Sequence, residues 1–222
     1  MIDPNTLKFL TILQKNNNKP WFDEHKQRYL EAKENFVNFV AELLESMCDF
    51  DKSLLHLEPK NCCFRINRDV RFSKNKMPYK NNMAAYINET GKKGEGPGYY
   101  FHMQPGKSFL AAGIWMPNPE NLARIRQEID YNYLQFKKII NNNTFKNEFP
   151  GGLSAEDKLK RPPKGYEESN PAIDVLKNKS FIVTHTLSDK EILNPSLTGN
   201  LSKSFKLAFP FIRFLKTAIG EK

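Results

Sequence analysis

Cysteine is scarce: Cys48, Cys62 and Cys63 are the three in 222 residues. An odd number that includes an adjacent pair argues against a disulfide framework, and no Cys-x-x-Cys spacing suggests a zinc site. Long apolar runs are missing too; none approaches the ~20 residues needed to span a bilayer. The N-terminal Met-Ile-Asp-Pro-Asn has no basic segment followed by an apolar run. No signal peptide is therefore predicted, and the expected setting is the cytoplasm with reduced thiols. The chain also lacks a phosphate-cradling Gly-x-Gly or P-loop, a nucleophile elbow, and paired carboxylates at metal-ligand spacing. Internal repeats and low-complexity linkers are absent. A single globular domain over 1–222 is expected, large enough to bury most of its apolar surface.

Positive charge is abundant but uneven. The net charge is +9. Residues 64–80 carry +5 of it and the segment from Lys203 to Lys222 carries +4, so the remainder is neutral. That pattern favours local anion sites over a uniformly basic coat. The C-terminal charge reads as a solvated helix face.

Taken in order, the pattern alternates helical and extended periods. A helix over 5–15 is capped by Asn5 or Thr6, with Leu7, Leu10 and Leu13 on its apolar face. Asn16–Lys19 breaks it, and Pro20 suits the start of a long helix over 20–48 carrying Phe22, Tyr29, Phe36, Phe39 and Leu43. His25 falls on that stripe and reads as a buried, hydrogen-bonded residue. Cys62–Ile66 alternates like a strand, Ser73–Pro78 is a loop, and Met83–Asn88 is a second strand. Residues 99–104 and 108–115 flank Pro105-Gly106-Lys107 and predict a hairpin. On its first strand Tyr99, Phe101 and Met103 share one face, and Tyr100, His102 and Gln104 the other. Ala111-Ala112-Gly113 on the second strand leaves room for another backbone or a ligand. A helix over 120–142, an irregular stretch over 144–170, a short helix over 171–176, a strand over 180–187 and a final helix over 198–218 containing Pro210 complete the chain. The class predicted is α+β: a mostly antiparallel sheet with long helices packed on one face.

The most loaded stretch runs from Phe64 to Lys80, with six basic residues and one acid in 17 positions. Arg65, Arg68, Asp69, Arg71, Phe72, Asn75, Lys76 and Tyr79 fit the pattern Arg-x-x-Arg-Asp-x-Arg-Phe, a short gap, an acid or Asn, Lys, two residues and Tyr. This resembles the signature of an uncharacterised, mainly bacterial family, domain-of-unknown-function family 2461. The likeness extends to Gly98–His102 with Pro105-Gly106 and Gly113–Trp115, and to Arg161–Tyr166. It implies membership and carries no activity with it.

On a strand, Arg65 and Asp69 would share a face, with Arg71 rejoining it, so that Asp69 pairs with Arg65 or Arg71. One carboxylate cannot neutralise three guanidiniums. The surplus predicts an anionic, phosphate-bearing ligand at Arg65, Arg68, Arg71 and Lys76, with Tyr79 bonding it, stacking on a base, or equally serving as an anchor of the loop. Alternatively, the Arg–Asp network only fixes the strand and loop. An enzyme of phosphoryl or phosphodiester chemistry would use His102 and Asp69 as its proton-transfer groups. A nucleic-acid or nucleotide module would interleave Phe72, Tyr79, Tyr86, Tyr99 and Tyr100 with the cations. A third possibility is a basic loop that meets an acidic protein. The partners expected are thus an anionic small molecule or a nucleic acid, with no membrane; the sequence leaves the cofactor unknown.

Overall fold

Asp3, not Asn5 or Thr6, caps the first helix: its side chain accepts the Asn5 N–H at 2.7 Å. Pro4 then takes the first helical turn, where its missing N–H costs nothing. The computed structural model describes residues 1–220. The helices are α1 (Pro4–Lys15), α2 (Lys19–Glu24), α3 (Lys26–Met47), α4 (Pro59–Cys62), α5 (Pro119–Tyr131), α6 (Tyr133–Ile140), α7 (Asn143–Glu148), α8 (Ile173–Leu176), α9 (Asp189–Ile192) and α10 (Leu197–Ile219). The strands β1 (Met83–Ile87), β2 (Gly98–Met103), β3 (Ser108–Ile114) and β4 (Phe181–Leu187) form one antiparallel sheet in the order β1-β2-β3-β4. The fold is α+β, as its sequence predicts.

Two predicted long helices are each two helices. The segment 20–48 breaks at His25, whose backbone leaves the helical region at φ −103°, ψ 18°. Its ring Nδ1–H donates to the Trp21 carbonyl at 2.9 Å, and the ring stacks on Trp21 at 4.2 Å. The same carbonyl also accepts the His25 N–H at 3.0 Å, so the ring reinforces the last backbone bond of α2. The segment 120–142 breaks at Asn132, whose amide donates to the Glu128 carboxylate at 2.8 Å. Asn favours such local bonds over helix propagation. Residues 143–148, expected to be largely irregular, form α7, capped by Asn142.

The chain divides into two compact units. The first comprises Met1–Lys92, Tyr100–Leu110 and Thr186–Lys203, and the second Lys93–Tyr99, Ala111–His185 and Ser204–Lys222. In the first, Phe101 on the buried face of β2 packs against Phe36 and Phe39 of α3, at 6.1 and 5.4 Å between ring centroids. Full burial of each ring contributes on the order of 2–3 kcal/mol. The hairpin turn sits on Gly106 at φ +70°, and the Gly106 N–H donates to Asp189 at the start of α9, 2.8 Å away. In the second, Phe205 packs on Tyr99, and Phe136 lies against Phe211 and Phe214. Arg126 fastens α5 to the end of α8 and the residues after it by donating to the carbonyls of Leu176 and Asn178. Among the described residues no helix is long and apolar enough to cross a membrane.

Candidate anion-binding arm

Cys62 to Ile66 is not a strand. Cys62 ends α4, and only single antiparallel bridges follow, Cys63 with Ala85 and Asn67 with Tyr79. The charged stretch is instead a short ribbon. The Lys80 N–H donates to the Ile66 carbonyl at 2.7 Å, and the Arg68 N–H to the Pro78 carbonyl at 2.8 Å. Beyond these bonds, residues 70–77 form an open loop. Alternation failed here because too few ladder bonds form to hold a regular strand.

The root of this arm is well held. Ile66 and Tyr79 are buried, and Tyr79 is 6% exposed. The Tyr79 ring stacks on Phe22 at 3.9 Å, inclined by 15°. The amide of Asn17 grips the Tyr79 backbone from both sides, accepting its N–H at 3.0 Å and donating to its carbonyl at 2.9 Å. Tyr79 is therefore an anchor, and its buried ring is closed to a base. Tyr99 is buried as well, so it leaves the set of stacking candidates. Asn17 escaped prediction because nothing in Asn16-Asn17-Asn18 signals a partner 62 positions away. Two hydrogen bonds are at stake, so Asn17→Ala should cost about 1–3 kcal/mol, read from urea unfolding midpoints. Proteolysis within 70–77 should also accelerate.

At the other end Phe72 is 94% exposed. Asp69 binds Arg71 alone, through Nε to Oδ1 at 3.0 Å and Nη2 to Oδ2 at 2.7 Å, with the Arg71 N–H on Oδ1 at 3.2 Å. These hydrogen bonds, aided by the charge of Arg65, hold the Asp69 carboxyl below its ordinary range. The pair is exposed, so the expected partly buried Arg–Asp–Arg network is not what forms. Lys76 reaches back to the carbonyls of Val70 at 3.0 Å and Arg71 at 3.4 Å, bracing the loop while keeping its charge. Arg68 makes one long bond to Ser73 at 3.4 Å. Arg65 and Lys74 are exposed and have no hydrogen bond or ion pair among the described residues. One carboxylate is thus paired with one arginine, and among the described residues the remaining cations of the arm make no ion pair.

His102 lies on the open face of β2. The acceptor Oε1 of Gln104 requires an N–H at Nε2, 3.0 Å away, which leaves Nδ1 to accept the Tyr100 O–H at 3.0 Å. Phe109 stacks on the ring at 4.8 Å. Burial, with the Lys80 charge as a smaller cause, lowers the His102 pKa despite the Gln104 bond. Lys80 sits over Phe64 at 5.1 Å, and Phe64 meets Tyr100 edge-on at 6.3 Å. The root of the arm thus runs onto the face that carries Tyr100 and His102. Cys62 and Cys63 are pushed up to about 11 and about 12 by burial, which disarms them as nucleophiles. Among the described residues no group of three His, Cys, Asp or Glu side chains is placed to hold a metal ion.

The acid response of His102 follows from linkage. Its folded pKa lies below the ordinary 6.5, so above 6.5 both folded and unfolded forms are neutral. As pH falls, the unfolded chain takes the proton first and stability drops, until the folded pKa is passed. His102→Gln should flatten the fall in thermal midpoint below pH 6.5. An unchanged slope would mean the ring is not buried neutral.

The chain belongs to a family described as "Conserved hypothetical protein (DUF2461)", whose model matches residues 5–214. Comparison with curated proteins gave no match, and comparison with solved structures gave none.

Proposed function

We propose that the protein binds single-stranded nucleic acid along the arm, without catalysis. The observation that carries this is Phe72, almost wholly exposed at the tip of a segment with net charge +5. Apolar rings exposed on solvated loops find a use where a flat partner stacks on them, and base stacking contributes about 1–3 kcal/mol per base. Arg65, Lys74 and Lys76 are exposed along the same arm. Their charge is strung over an open surface, which suits a phosphate chain better than one small anion. Duplexes keep their bases stacked internally, so the single strand is the better complement.

Fluorescence anisotropy with labelled oligo-dT and oligo-U tests this against a matched duplex and inorganic phosphate. Affinity for the single strands should fall steeply as salt rises, because counterions are released on binding. Equal affinity for duplex, or none for either strand, overturns the proposal. A phosphodiester-processing role is a second reading, favoured by the Tyr100–His102 pair beside Lys80. Both ring nitrogens of His102 are already bonded, which weighs against it. Strand cleavage by the wild type, lost in His102→Gln, would support it.

A further inference from the structure

A cleft of about 360 Å³ opens elsewhere in the first unit, between α1, α2 and α3. Its volume lies in the range of small-molecule sites. Phe9 and Trp21 supply two aromatic rings to its wall, with centroids 6.2 Å apart. His25 stacks on Trp21 at 4.2 Å and fixes its plane. The polar groups at the Asp3 end are already satisfied. Asn35 accepts from the Asp3 N–H at 2.9 Å and from the Thr6 hydroxyl at 2.8 Å, and donates to the Met1 carbonyl.

The acids and bases on the lining differ in one respect. Asp3 caps α1, and Glu31 accepts from Gln27 at 3.1 Å. Lys8 and Arg28 line the same cleft and have no hydrogen bond or ion pair among the described residues. Arg28 lies seven residues before Asn35 on α3, about 10 Å along the axis at 1.5 Å per residue. Arg28 is therefore well removed from the Asn35–Asp3 end. The lining carries two carboxylates and two cations, and among the described residues only the charged groups of the cations lack a hydrogen-bond partner, beside an aromatic wall.

We infer that this cleft is a binding site for a small aromatic carboxylate, whose ring lies against Trp21 and Phe9 and whose carboxylate meets Arg28 and Lys8. A guanidinium holds a carboxylate through two parallel bonds, and Lys8 adds a second charge. The site is independent of the arm and does not rest on nucleic-acid binding.

The test uses 4-nitrobenzoate, which quenches tryptophan, with 4-nitrobenzamide as its neutral counterpart. The full chain carries two tryptophans, so Trp115→Phe isolates the signal of Trp21. The acid should quench saturably, with a midpoint at least about tenfold lower than the amide, which cannot make the ionic hydrogen bonds. Arg28→Gln should raise that midpoint about tenfold with an unchanged thermal midpoint, because Arg28 is exposed. A chain with Trp21→Phe and Trp115 intact should show only linear quenching. Equal midpoints for acid and amide, indifference to Arg28→Gln, or saturable quenching of Trp115 alone would each overturn the assignment.

Discussion

Replacing Arg65, Arg68 and Lys74 together by Gln should weaken oligo-dT binding about a hundredfold at low salt, and flatten the log–log salt dependence by about two units. These three are chosen because the fold asks little of them. Arg65 and Lys74 make no hydrogen bond or ion pair among the described residues, and the Arg68 side chain has only the 3.4 Å bond to Ser73. The thermal midpoint should therefore fall by no more than about 4 °C, since Arg65 and Lys74 are exposed and the half-buried Arg68 gives up one long bond. Arg71 behaves differently. Its charge is matched by Asp69, so Arg71→Gln removes a nearly neutral pair's positive half and leaves Asp69 to repel phosphate. Asp69→Asn has the opposite sign: it frees Arg71 and should tighten binding. An arm whose charges merely solvate a surface would give neither the loss nor this gain, and an anisotropy titration at two salt concentrations separates the cases. Phe72→Ala completes the set, with a loss of about tenfold and no change in salt slope.

That combination follows from what the sequence did and did not make visible. The hairpin, α10 and the charge surplus of 64–80 were legible, because each rests on local composition: a Pro-Gly turn, a helical apolar stripe, six cations against one acid. The strand read over Cys62–Ile66 fails for the same local reason, since alternation over five residues also fits the end of a helix and a coil that makes one bridge, at Cys63. Side-chain roles were the least legible. Tyr79 looked like a ligand contact because it follows a proline within the basic motif. Its burial is decided by Phe22 and Asn17, which lie more than 55 positions earlier. The breaks at His25 and Asn132 were hidden for another reason. The apolar stripe continues through both, while the backbone leaves helical dihedrals at a single residue, φ −103° and ψ 18° at His25 and φ −114° and ψ 35° at Asn132.

Gly113 was ambiguous in sequence, with a small residue in mid-strand leaving space for a ligand or for another backbone. The space belongs to backbone. A Cβ built on Gly113 would lie 1.9 Å from the Phe181 carbonyl oxygen and 2.9 Å from the Ile182 Cα, both on β4. The residue also sits at φ +130°, a conformation open to glycine and strained for any other residue. Gly113→Ala should therefore cost about 4 kcal/mol or more, at the upper end for single substitutions, because β4 must move or the β3–β4 pairing must break. Gly152 provides the control: its φ is +60° and nothing lies within 4 Å of its Cβ position. Gly152→Ala should cost only about 1 kcal/mol, the left-handed backbone strain without the collision. The difference in urea midpoint between the two variants isolates the close approach of β4. If Gly113→Ala is no worse than Gly152→Ala, the strands do not approach this closely and the second unit must pack Phe181 in another way.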